Sequence, residues 1–311
     1  MSRHFSVHTL LADPLVVVAY GGVTLPDAVA HTAARAAGAV AHLFVRPTWH
    51  GPGILRETLG MVGQAQSDHP NLRTVLLAAT HEDAGLFRRA GLDAFHCNHN
   101  ALVDERRFAP DLDAAKTYNA VYTARLVPFK RHELAVKVPR LAVITHGFEV
   151  DDAYAIERIA AFDDLKFINY EAGKGFHRLV PDEVREILVA SRCGLALSAV
   201  EGPMYASVEY LLCGLPVVTT SSLGGRDEFF HADYVETVDP TPEAVEGGVG
   251  RILARTPDPM SIRRRTLELF KPHRARLIMR LSAIAEADLF AAATPSLWLP
   301  CFADKLEDWG G

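Results

Sequence analysis

Two hydrophobic periods alternate along this chain. Short continuous apolar runs, typical of strands buried on both faces, are separated by longer stretches with helical spacing. Leu15–Tyr20 (LVVVAY) is the first such run, and a Gly21–Gly22 turn follows it. Pro26 then stands just inside a helix start, and Asp27–Ala37 is rich in alanine. Ala39–Val45 reads as a second strand, Ile54–Gln66 as a helix and Thr74–Ala79 as a third strand. His81–Ala90 reads as a short helix closed by Gly91. This alternation predicts a parallel sheet with crossover helices.

The segment from Asn98 to Asp113 is polar, contains Pro110 and reads as a linker. The alternation then restarts. Strands are predicted over Tyr118–Ala124, Leu141–Thr145, Leu165–Tyr170, Gly194–Ser198 and Pro216–Thr219. Helices are predicted over Arg131–Lys137, Ala153–Ile159, Pro181–Ser191 and Tyr205–Cys213, with further helix from Pro242 to Ala287. No internal repeat or low-complexity tract is present. Two open α/β sheets joined by a linker predict a ligand cleft outside the carboxyl ends of the strands.

Composition narrows the function classes. The chain has 311 residues, 49% hydrophobic and 23% charged, which suits two globular domains. Its formal net charge of −6 gives no whole-surface attraction to nucleic acid. The one tight basic run, Arg263–Arg265, reads as a solvated helix face. The four cysteines, Cys97, Cys193, Cys213 and Cys301, form no CxxC pair, and Cys193 and Cys213 sit in apolar surroundings as small core residues. That usage fits a reducing compartment. No apolar run reaches membrane-span length, and the first residues lack the apolar core of a signal peptide. The expectation is a cytoplasmic protein.

The densest chemistry lies in SAVEGPMYASVEYLLCGLPVVTTSSLGGRDE, Ser198 to Glu228. Glu201 ends a strand-to-helix turn, and Glu209 lies about two turns into the following helix. Gly202 lets backbone approach a ligand, and the first amides of the helix form an anion site. Carboxylates beside such a site suit a ligand that carries hydroxyls as well as phosphate. In YTARLVPFKRHE, Arg125 ends a strand and Lys130 lies near the next helix start. Together they can neutralise a diphosphate and stabilise the charge that develops as it leaves. Taken singly, Glu201 is a carboxylate at a helix N-terminus, Glu209 an exposed helix residue and Arg125 half of a surface ion pair. Taken together they are predicted at one edge of one sheet.

These blocks resemble the retaining glycosyltransferases of family 4 (glycosyl transferases group 1), which have the GT-B fold. The family's E-x7-E motif resembles Glu201-x7-Glu209, with Cys213–Val218 downstream. Its G-R-L-x3-K motif resembles Ala124–Lys130, with Ala124 in place of glycine. Its glycine pair resembles Gly224–Gly225, followed by Arg226, Asp227 and Glu228, and its linker pattern resembles Asn100–Phe108, with Asp104 four residues before Phe108. The likeness covers residues 96–285.

The resemblance implies an α/β GT-B architecture of two Rossmann-like domains with parallel sheets facing a cleft, the N-terminal one unusually short. Residues 1–110 would form the acceptor-side domain with its linker, and 111–285 the nucleotide-sugar domain. Residues 286–311 would be a tail packing back on the first, anchored by Trp298 and Trp309. The implied activity is transfer of a sugar, hexosyltransferase-like, from a nucleoside-diphosphate sugar to an acceptor hydroxyl with retention. No metal or cofactor is implied beyond the donor itself. The resemblance makes Glu201, Arg125 and Lys130 catalytic. It gives donor binding to Glu209, Gly202, Pro203, Met204, Gly21 and Gly22, with Pro203 where the family has an aromatic residue. The acceptor, whether glycan, lipid-linked or small molecule, stays open, as do peripheral membrane contact and oligomeric state.

The family's N-domain histidine corresponds to His50, to His81 or to neither, and each also reads as a surface or capping histidine. Asp111-x-Asp113 lies in the predicted linker without a ligand cluster, and His96-Cys97-Asn98-His99 reads as loop chemistry rather than a metal site. The short N-terminal domain keeps two rivals in view: a non-catalytic nucleotide-sugar binder or partner subunit, and a GT-B sugar-nucleotide epimerase.

Overall fold

The computed structural model describes residues 7–145, 166–171 and 174–289. The predicted helix Ala153–Ile159, Cys301 and the tail tryptophans lie outside them. The described residues of Met1–Asp104 and Phe270–Gly311 form one compact unit, and those of Glu105–Leu269 form a second.

Unit 1 holds a five-stranded sheet of sequential order: β1 (Val7–Leu11), β2 (Leu15–Tyr20), β3 (Ala41–Arg46), β4 (Leu72–Ala78) and β5 (Ala94–His96). Strands β2 to β5 are parallel, and β1 pairs antiparallel with β2. The continuous apolar runs are explained by burial on both faces. Val17, Leu43 and Leu76 pack under α1 (Leu25–Ala36), α2 (Pro52–Asp68) and α3 (His81–Arg89). Val16, Val18, Phe44 and Val75 meet Leu277, Ile278 and Leu281 on the other face. Those last residues belong to α7 (Pro259–Ala285), which begins in unit 2 and runs on into unit 1. The segment read as a polar linker is buried from Asn98 to Asp104. Asn98 is paired there: its Oδ1 accepts from Asn100 N (3.1 Å), and its N donates to His273 Nδ1 (3.1 Å).

Unit 2 holds a six-stranded sheet in the order β13-β12-β11-β6-β7-β8, with every pairing parallel. Its strands are β6 (Ala120–Thr123), β7 (Leu141–Ile144), β8 (Lys166–Phe167), β11 (Gly194–Ala196), β12 (Val217–Thr220) and β13 (Val235–Val238). The predicted strand Leu165–Tyr170 divides into β8 and β9 (Tyr170–Glu171), which pairs in a small hairpin with β10 (Gly175–Phe176). Helices α4 (Pro181–Val189), α5 (Tyr205–Leu212) and α6 (Pro242–Arg255) also belong to this unit. The chain winds outward from β6 to β8 and returns to wind the other way from β11 to β13. The order therefore reverses between β6 and β11, and open parallel sheets bind ligands at such a switch point.

Two further expectations change. Arg131–Lys137 is not an α-helix: two 3-10 turns, Pro128–Lys130 and His132–Ala135, flank Arg131 at φ +51°. The left-handed residue stops helix propagation. Arg131 is instead tied to the strand ends, donating to Leu197 O (2.5 Å) and Thr220 Oγ1 (2.5 Å). Within the basic run, Arg263 is not solvated. It donates to Glu105 O (2.6 Å), Leu212 O (2.8 Å) and Phe108 O, capping the carbonyl end of α5. Cys97, Cys193 and Cys213 are buried and free, and burial pushes each thiol up to about 12. Among the described residues no helix is long and apolar enough to cross a membrane.

Candidate functional site

Of the residues singled out in unit 2, Lys130 and Glu201 meet at its switch point. Beyond β6 the chain turns through Arg125 to Lys130, and beyond β11 it passes Ser198 and Glu201 before entering α5. Tyr210 fixes that arrangement from beneath. Its ring lies against Gly194, where an added Cβ would fall 2.2 Å from a ring carbon. Its hydroxyl accepts the Thr123 amide at 2.6 Å. One aromatic side chain of α5 thus seats the helix on β11 and ties it to the end of β6. Glu209, the neighbour of Tyr210, stands in the second turn of α5 and is buried.

Lys130 and Glu201 form a buried ion pair, with side chains only 7% and 11% exposed. Burial lowers the Lys130 ammonium below its ordinary value, and the Glu201 carboxylate beside it works the other way. The second Glu201 oxygen accepts from Ser198 Oγ at 2.5 Å. Tyr122 donates its hydroxyl to Lys130 O, and burial, aided by Glu201, raises that phenol well above the usual range. The backbone around Glu201 is pinned as well. Glu201 N donates to Leu223 O and Leu223 N to Ala199 O, both at 2.9 Å.

Behind the pair lies Arg226, 1% exposed. Its guanidinium donates to Ser198 O and Ser198 Oγ (3.1 Å), Thr219 Oγ1 (2.7 Å), Thr220 O (2.6 Å) and Asp227 Oδ1 (2.6 Å). Burial raises the Asp227 carboxyl, with Arg226 opposing. Arg226 therefore holds Ser198, which in turn holds Glu201. Ser198, Tyr122 and Tyr210 carry no motif signal in the sequence, and Arg226 showed only as the residue after the glycine pair. Their roles depend on contacts across the strand ends.

The other predicted donor residues are less uniform. Gly202 and Met204 are buried, Pro203 is half-buried and Arg125 is exposed. Met204 caps α5 with no side-chain hydrogen bond, so no side chain of the cap takes up the helix's first amides. Chemically, the set offers cationic donors and backbone amides for an anion, and two carboxylates for hydroxyls.

The candidates in unit 1 lie at the carboxyl ends of its own strands. Gly21 and Gly22 follow β2, and Gly21 N donates to Arg46 O at 2.9 Å. His50 pairs through Nδ1 with Asp83 Oδ2 at 2.8 Å. Asp83 also accepts from Thr80 Oγ1 (2.9 Å) and Gly51 N (3.2 Å). His81 is exposed, with its ring centroid 3.9 Å from that of His96. Asp111 and Asp113 make a local turn, Asp113 N donating to Asp111 Oδ1 at 3.1 Å.

No family model matches the chain, and no curated protein matches it. Solved structures do. The chain superposes on Anabaena HepE in complex with UDP and glucose with a TM-score of 0.60 at 14% identity, over 85% of this chain and 77% of that one. With sucrose-phosphate synthase of Thermosynechococcus elongatus the TM-score is 0.59 at 16% identity, over 87% and 79%. With TarM it is 0.56 at 12% identity, and the chain spans 54% of that protein. The fold is thus the α/β GT-B arrangement of two sheet-bearing units found in these proteins.

Proposed function

We propose that the protein is a nucleotide-sugar-dependent glycosyltransferase whose donor lies at the switch point of unit 2. The observation that carries this reading is the Lys130–Glu201 pair, buried at the carboxyl edge between β6 and β11 and braced by Ser198 and Arg226. A nucleoside-diphosphate sugar would place its diphosphate against Lys130, Arg125 and the first amides of α5 around Gly202, Pro203 and Met204. The cations stabilise charge on the leaving diphosphate, and no metal is required for that task. Glu209 would accept the ribose hydroxyls and Glu201 the hydroxyls of the transferred sugar. HepE, a neighbour in fold, was crystallised with UDP and glucose, which supports a uridine donor as the first to try. Retention at the anomeric carbon, as in family 4, is part of the proposal and is read from the anomeric configuration of the product.

The test is a thermal-shift panel of UDP-, GDP-, ADP- and TDP-sugars followed by transfer assays. A ligand at a hundred times its Kd stabilises the folded state by about 2.7 kcal/mol, a shift of a few degrees. One of the four should give it. Lys130→Ala and Glu209→Ala should stay folded, lose that shift and lose transfer; normal transfer by both would sink the assignment. One observation favours a second reading, a donor-binding partner subunit without catalysis: among the described residues the sheet of unit 1 runs β2 to β5 in one direction without a switch point. Donor binding without transfer or hydrolysis across a broad panel of hydroxyl acceptors would select that reading.

A further inference from the structure

Lys130 and Glu201 have a consequence for which ligand the site prefers. Each is the other's counterion, and both side chains are largely removed from water. A diphosphate that takes Lys130 competes with the Glu201 carboxylate for its charge. A displaced carboxylate would then keep Ser198 Oγ as its hydrogen-bond partner, and Ser198 is itself fixed by Arg226. Separating a buried ion pair is costly unless both charges find new partners. The phosphate satisfies Lys130 but, when ionised, offers no donor to Glu201, whereas the hydroxyls of a sugar do.

We propose that Glu201 is a specificity-determining residue that disfavours the bare nucleoside diphosphate relative to the intact sugar nucleotide. It competes with the diphosphate for Lys130 and yields when sugar hydroxyls occupy its carboxylate. The proposal rests on the donor-site reading above. It gives the spent diphosphate a reason to leave once the sugar has gone, since the Lys130–Glu201 pair re-forms as it departs.

Isothermal titration of the full-length protein with UDP and UDP-glucose tests it, with GDP and GDP-mannose or ADP and ADP-glucose used if that pair is the one that binds. Glu201→Gln keeps the side-chain size and removes the competing charge. It should tighten binding of the bare diphosphate by about tenfold, a difference of about 1.4 kcal/mol. Ser198→Ala removes the displaced carboxylate's remaining partner and should act oppositely, weakening the bare diphosphate more than the sugar nucleotide. If Glu201→Gln fails to fold in a circular-dichroism melt, Ser198→Ala decides alone. Unchanged or weaker diphosphate binding in Glu201→Gln, or equal weakening of both ligands in Ser198→Ala, overturns the proposal while leaving the donor site intact. Failure of the wild-type protein to bind any of these pairs, or TDP and TDP-glucose, overturns the donor-site reading and this inference with it.

Discussion

Charge at the switch point is organised in two layers. The outer pair, Lys130 with Glu201, is the layer a ligand would engage. The inner one, Arg226 with Asp227 and the strand-end oxygens, is a brace. Arg226 is bonded on every side, so its removal takes a charged donor from Ser198 O, Thr220 O and the Asp227 carboxylate together. Breaking a buried pair from one side costs 3–5 kcal/mol, and because Asp227 is a third exposed the expected loss for Arg226→Met is about 3 kcal/mol, read by urea denaturation. A loss below about 1 kcal/mol, the scale of one ordinary hydrogen bond, would mean the brace is dispensable. Lys130 gives a prediction in pH. Burial lowers its ammonium and Glu201 opposes that lowering. Diphosphate binding needs the charged form, so affinity is present below the Lys130 pKa and is lost as pH rises through it. Glu201→Gln removes the opposing charge, so its alkaline loss of diphosphate affinity should begin at lower pH than in the wild type. Titrations across the alkaline range check this, and identical limbs would deny the coupling. Motif spacing made Glu201, Glu209, Arg125 and Lys130 legible in the sequence. The mutual pairing of Lys130 and Glu201 was not legible, because 71 positions separate them and only the adjacency of β6 and β11 brings them together.

The elements that carry the site owe their positions to a few tight contacts. Helix α5 approaches β11 as closely as it does because Gly194 has no Cβ. Gly194→Ala would drive a methyl into the Tyr210 ring and displace the helix that bears Glu209. Overpacking of this kind costs about 1–3 kcal/mol, and donor affinity should fall with it. Gly60 offers the contrast. It is exposed inside α2, and an added Cβ there would meet nothing within 4 Å. Gly60→Ala should stabilise by about 0.5–1 kcal/mol through helix propensity alone. Urea midpoints of the two variants should move in opposite directions. Strands β2 and β4 were readable because burial on both faces leaves a continuous apolar run. Strand β1 gives little sequence signal because it is an edge strand, antiparallel to β2, and VHTLL has neither a long run nor strict alternation. The helix expected at Arg131–Lys137 failed for a tertiary reason. The Arg131 guanidinium is fastened to Leu197 and Thr220, and the backbone takes a left-handed step at that residue. The segment from Asn98 to Asp104 looked like linker because it is polar, yet its polar side chains lie buried in unit 1.

At the scale of the whole molecule the two units are unequal in what they can hold. Unit 2 reverses its strand order at β6 and β11 and pairs Lys130 with Glu201 there. Unit 1 winds in one direction, with α1 to α3 on one sheet face and the later residues of α7 on the other. The proposed function puts the nucleotide on unit 2, and hydrogen exchange can test that placement without knowledge of the acceptor. With UDP or UDP-glucose bound, amides of residues 125–131, 197–209 and 223–227 should slow, because local opening there must first release the ligand. Amides at the centres of β2, β3 and β4 are already protected by burial and should not change. Residues 47–51 serve as the discriminating control. They contain His50, held by Asp83 in unit 1, and the bare diphosphate should leave them unaffected. Slowing of residues 21–22 and 47–51 by UDP, with 197–209 unmoved, would put the nucleotide on unit 1 and remove the basis for reading Lys130 and Glu201 as donor residues. Slowing of 47–51 that appears only when a hydroxyl acceptor is added would give unit 1 the acceptor, and with it the case for transfer over binding alone.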